Sequence, residues 1–245
     1  MHASADRPKV AFVPGFMQPG DAWAPVAGRL PERYSSVLLD HAEHSFEGRL
    51  AEIADAGEGS VLCGYSLGGR LALHAALRAP KRYAGLVIVG VSAGIDAPGT
   101  RAQRAQADEK MASWMETQAI EQIVDVWERQ PLFADQSDQL VEQQRPGRLR
   151  QEPRGLAMLL RTAGQGTLEP VWQRLPELGQ LPCLAIAGSV DQRYSDAARR
   201  IARETPRGRA EIVEAAGHAP QLQRPEVAAA LLLDFLDQHL GQVRV

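Results

Sequence analysis

The chain is 245 residues long with a mass of 26.6 kDa, which is one large domain or two small ones with room for a buried core. Hydrophobic residues make up 44% and charged residues 23%, which excludes a disordered chain. Lys and Arg number 27 against 30 Asp and Glu, a net charge of −3, so no basic excess exists to attract nucleic acid.

The N-terminal stretch MHASADRPKVAFVPGF lacks the apolar h-region and cleavage-site pattern of a secretory leader. No apolar run approaches the roughly 20 residues that span a bilayer, so a cytoplasmic protein without a membrane partner is expected. Alternating strand and helix signals follow, the pattern of a parallel sheet covered by helices. KVAFVPGF (residues 9–16) is a first strand-like run ended by Pro-Gly, and SSVLLDH (35–41) is a second. SVLCGYSLGG (60–69) is a third and passes directly into RLALHAALRAP, whose apolar spacing fits a helix ended before Pro80. GLVIVGVSAG (85–94) is a fourth.

From residue 96 to 166 the pattern changes. Gln, Arg and Glu dominate, and Met111, Trp114, Met115, Ile120, Ile123, Val124 and Trp127 recur at helical spacing. This stretch reads as a helical cap inserted into a core formed by residues 1–95 and 167–245. Strand signals resume in PCLAIAGSVD (182–191) and RAEIVEAAGH (209–218), and VAAALLLDFLDQHL (227–240) is a closing helix. The two cysteines, Cys63 and Cys183, fall in strand-like runs and are expected as buried thiols.

Gly64-Tyr65-Ser66-Leu67-Gly68 matches G-x-S-x-G between a strand and a helix, the setting that gives the motif its meaning. The turn there forces the serine into a strained conformation and lifts its Oγ above the carboxyl edge of the sheet, beside a helix N-terminus that favours negative charge. A serine nucleophile requires a base, and the base an orienting carboxylate. Asp191 closes one late strand and His218 follows another, in the chain order Ser, Asp, His. Asp196 is a rival acid further from the strand end. Among the other histidines, His2 is terminal, His74 lies in the helix after the serine and His239 ends the last helix. His41 and His44, after the second strand, are the remaining rivals. An oxyanion calls for two backbone donors, expected from Leu67 and, in the loop after the first strand, Phe16. Arg70, one helical turn beyond Ser66, lies on the same side of that helix and suits a carboxylate. No Cys/His cluster has metal-ligand spacing, and GYSLGG lacks the lysine of a phosphate loop, so no metal or cofactor is called for.

Together these residues resemble the α/β-hydrolase family over nearly the whole chain. GYSLGGRLAL, GVSAG with RAQRAQAD, WERQPLFA, RGLAMLLRTAGQGTLEPVW and AAGHAPQLQRPE are similar to the menaquinone-pathway synthase branch, which eliminates pyruvate to make 2-succinyl-6-hydroxy-2,4-cyclohexadiene-1-carboxylate. The resemblance implies an α/β-hydrolase fold, a mostly parallel sheet flanked by helices, and a triad of Ser66, Asp191 and His218. It further implies that Tyr65, Arg70, Arg104 and Trp127 contact a small substrate carrying several carboxylates, with a third arginine near Arg145 or Arg148. The chain departs from the family where Pro14-Gly15 replaces His-Gly, and where Asp40-His41-Ala42-Glu43-His44-Ser45 replaces an Asp-x-Pro-Gly-His-Gly loop. A serine carboxylesterase or thioesterase working through an acyl-enzyme is the alternative, because one scaffold hosts both chemistries. The arginines are what separates the two, since a desolvated cation is repaid only by an anionic ligand.

Overall fold

A computed structural model describes residues 7–240, so His2 lies outside the described residues. Six strands, β1 (Lys9–Val13), β2 (Ser35–Leu38), β3 (Val61–Tyr65), β4 (Gly85–Val89), β5 (Cys183–Gly188) and β6 (Gly208–Val213), form one sheet in the order β2-β1-β3-β4-β5-β6. Every pairing is parallel. The strand-like runs seen in the sequence are longer than the strands, and for a physical reason at β1: Pro14 has no N–H to continue the ladder.

The helices are α1 (Ala24–Ala27), α2 (Phe46–Gly57), α3 (Leu67–Arg78), α4 (Pro98–Met115), α5 (Ile120–Glu128), α6 (Asp138–Leu149), α7 (Pro153–Ala163), α8 (Gln192–Glu204), α9 (Pro220–Gln223) and α10 (Pro225–Leu240). The central strands are buried on both faces, so their residues divide by the two-residue period of a strand. Leu62, Leu86 and Ile88 join Ile53, Leu71 and Ile201 beneath α2, α3 and α8. Val61, Cys63, Val87 and Val89 join Trp23, Val26, Leu232 and Phe235 beneath α1 and α10. Cys63 and Cys183 are buried and unpaired, and burial raises both thiols, Cys183 to about 12.

Helices α4 to α7 occupy the chain between β4 and β5 and carry a smaller apolar cluster of their own, with Met115, Ile123, Val124 and Leu156 at its centre. Met17 and Phe16, from the loop after β1, pack into this cluster. No helix among the described residues is long and apolar enough to cross a membrane.

The strand order places the topological switch between β1 and β3, where successive connections leave in opposite directions. A crevice opens there beyond the strands' carboxyl ends, the ligand position of open parallel sheets.

Candidate active site

The loop after β1 and the turn after β3 flank this switch point, with Val13 in register with Gly64. Ser66 follows β3 directly and has φ 49° and ψ −112°, a left-handed conformation in which a side chain is strained. The surroundings hold it there. Ser66 N–H donates to Val89 O at 2.8 Å, and Arg70 N–H donates to Ser66 O at 3.0 Å. A Cβ on Gly64 would lie 2.6 Å from Gly68 O, and one on Gly68 would overlap the carbonyls of Val13 and Pro14. The two glycines are therefore what allows the turn to close against the neighbouring strand.

Asp191 stands between β5 and α8 and uses its two oxygens separately. Oδ1 accepts from Tyr194 N–H as the N-cap of α8, and Oδ2 lies 2.9 Å from His218 Nδ1. His218, 3% exposed, sits in the loop between β6 and α9 with Nε2 3.1 Å from Ser66 Oγ. A neutral imidazole satisfies both contacts in one way only: Nδ1–H donates to Asp191 while Nε2 accepts from the Ser66 hydroxyl. Gly90, at φ 62°, passes under the ring, and a Cβ there would lie 2.8 Å from His218 O and 3.3 Å from Cε1.

A cavity of about 500 Å³ opens above Ser66. Phe16, Leu67, Tyr65, Arg70, Arg104 and Trp127, the binding residues expected from the sequence, all line it together with Ser66 and Asp191. Neither the Phe16 nor the Leu67 amide donates to another group among the described residues. Gln18 Oε1 accepts from Gly15 N–H at 3.1 Å and braces that loop. Tyr65 is buried with its ring 5.5 Å from that of His218, and burial pushes its phenol far up. Trp127 lies between Phe16, 5.0 Å away, and Phe133 at 5.5 Å, tilted to both rings.

The cations differ in how they are compensated. Arg70 Nη1 donates to Ala163 O at 3.0 Å and has no carboxylate partner among the described residues, and burial lowers its guanidinium to about 10. Arg104 Nε donates to the buried Asp108 at 2.7 Å. Of the two candidates for a third arginine, Arg148 lines the cavity and donates to Glu128 at 2.9 Å. Arg145 is held away by Asp125 and Glu128, each at 2.6 Å.

The rivals are placed elsewhere. Asp196 is exposed and bonded to Gln192 and Arg199. His41 is tied to Glu52 at 2.6 Å, whose other oxygen accepts from the Ala42 and Glu43 amides. The departing 40–45 loop is thus strapped to α2, and neither His41 nor His44 reaches the cavity. Gln18, Phe133, Gln165, Arg193 and Tyr194 line the cavity without having been singled out in the sequence. Only Tyr194, one helical turn after Asp191, carried a positional signal. No group of three His, Cys, Asp or Glu side chains suited to a metal occurs among the described residues.

Residues 10–231 match the alpha/beta hydrolase family, and the chain belongs to it. Among its relatives is a provisional 2-succinyl-6-hydroxy-2,4-cyclohexadiene-1-carboxylate synthase of Bacillus subtilis (strain 168), 32% identical over 222 residues, covering 89% of this chain and 77% of the relative. The structure of MenH from S. aureus superposes with a TM-score of 0.89 at 24% identity, covering 98% and 97% of the two chains. A malate-bound thermophilic esterase from Thermogutta terrifontis gives a TM-score of 0.81 at 20% identity, with 95% and 90% covered. These two likenesses concern the fold.

Proposed function

We propose that this protein eliminates pyruvate from a cyclohexene intermediate bearing several carboxylates, yielding 2-succinyl-6-hydroxy-2,4-cyclohexadiene-1-carboxylate. In this reading residues 96–166 are a cap that supplies substrate contacts. The observation that carries the proposal is Arg70, a half-buried cation on the cavity wall with no carboxylate bonded to it among the described residues. Desolvating it is unfavourable unless the ligand is an anion. Arg104 and Arg148 add two further cations, each sharing a carboxylate. The synthase names carried by relatives agree with this reading.

The chemistry assigns each group a role. His218, oriented by Asp191, draws on the Ser66 hydroxyl so that the pair acts as one base. It removes a proton from the carbon next to the substrate's ketone. The electron pair moves onto the carbonyl oxygen, where the Leu67 amide at the α3 N-terminus and the Phe16 amide from the loop after β1 stabilise it. Collapse of that enolate re-forms the ketone and makes a second ring double bond while the first shifts along the ring. The C–O bond to the three-carbon unit breaks, and the enolate of that unit departs and takes up a proton at carbon as pyruvate. Arg70 and Arg104 hold carboxylates throughout, and Ser66 is never acylated.

A second reading draws on the Ser66–His218–Asp191 geometry, which equally suits acyl transfer. There Ser66 attacks an ester carbonyl and His218 later activates water. One paired assay separates the two, following pyruvate release from the pathway intermediate and hydrolysis of short p-nitrophenyl esters, with Ser66→Ala as the blank. Fast Ser66-dependent pyruvate release with feeble ester turnover is the expected result. Brisk ester cleavage without pyruvate overturns the synthase reading.

A further inference from the structure

Tyr194 is buried at 8% exposure, and its ring centroid lies 4.4 Å from that of His218. Its hydroxyl is 3.1 Å from Gln165 Nε2. Gln165, itself only 5% exposed, places Oε1 3.4 Å from Arg104 Nη1. The direction of this chain follows from the chemistry of its members. A guanidinium has only protons to offer, so the amide oxygen must face Arg104. The amide nitrogen must then donate to Tyr194, whose oxygen is the acceptor in that bond. The phenolic proton is left over, and no acceptor for it exists among the described residues. A buried donor without a partner costs free energy, and the cavity is the free space beside it.

We propose that Tyr194 is a substrate-binding residue whose hydroxyl donates to a carboxylate oxygen of the ligand held by Arg70 and Arg104. Gln165 is the positioning residue, because it occupies the phenol's lone pair and turns the proton into the cavity. A neutral donor beside two cations adds direction where the cations add charge, so it selects among anions by shape. The inference rests on the anionic-substrate reading above.

The test uses succinate as the probe, with its Kd measured by calorimetry on the wild-type chain and three variants. Tyr194→Phe keeps the ring against His218 and removes only the hydroxyl. It is expected to weaken succinate about tenfold, the scale of one hydrogen bond to a charged group. Gln165→Glu presents acceptors only, turns the phenolic proton towards position 165 and also neutralises Arg104, so it is expected to weaken succinate more than Tyr194→Phe does. The double variant is expected to lose no more than Gln165→Glu alone, because in that variant the phenolic proton is already turned away from the ligand. Where pyruvate release is followed, the loss falls on KM more than on kcat. Unchanged succinate binding in Tyr194→Phe, additive losses in the double variant, or no succinate binding by the wild type each overturns the proposal. A wild type that binds succinate through Tyr194 yet releases no pyruvate overturns the synthase reading alone.

Discussion

Ser66 is the residue on which both readings depend, and its φ of 49° shows how much of the surrounding backbone is committed to presenting it. Ser66→Ala and His218→Ala are each expected to lower kcat by about 1000-fold or more, with an unchanged circular dichroism spectrum. Wild-type turnover in either variant removes the pair from the mechanism. Arg70→Ala is expected to raise KM for the anionic substrate by about tenfold or more, well beyond its effect on a neutral ester. Equal effects on both substrates reduce Arg70 to a packing residue. The placements of Ser66, Asp191 and His218 were legible because each follows a strand, and strand ends in a parallel sheet converge on one edge. Tyr194 and Gln165 were not. They lie 29 residues apart and gain meaning only from the bond between them.

At the level of elements, the turn from β3 into α3 is held tightly by backbone on two sides. Gly68→Ala thrusts a methyl at the Val13 and Pro14 carbonyls, which are backbone and cannot rotate aside. Overpacking of this kind costs about 1–3 kcal/mol, and Tm is expected to fall by roughly 5 °C or more in a thermal melt. A Tm within a degree of wild type shows that the turn has slack. The buried strands are plain in the sequence because they are continuously apolar, and α10 because it opens on the apolar run 227–233. Helices α2 and α8 were not singled out. α8 sets Tyr194, Ala197, Ala198 and Ile201 against a strongly charged outer face, so its helical period is legible, but its few large apolar residues leave it without a continuous hydrophobic run. In α2 the glycine at position 48 blurs the first turn, although Ser45 caps it by accepting from the Gly48 amide at 3.1 Å.

Across the whole molecule, two half-buried histidines outside the site, His41 and His74, set an acid limit. Burial, reinforced by Arg49 at His41 and by Arg70, Arg174 and Arg78 at His74, lowers both rings from 6.5 to about 4. Glu52 and Glu47 oppose these shifts. Between these values the unfolded chain binds protons that the folded chain refuses, so stability is full above pH 6.5 and declines as the pH falls towards 4. His74→Leu removes one of these groups, and its Tm is expected to drop less between pH 7 and pH 4.5 than that of the wild type. Parallel Tm–pH curves exclude His74 from this role. Because β1 and β3 are adjacent and in register, Ser66 and the loop facing it are fastened to one pair of strands. Arg104, Trp127 and Arg148 instead ride on a single uninterrupted stretch threaded between β4 and β5. Replacing this one stretch would leave Ser66, Asp191 and His218 in place while changing much of the cavity wall above them.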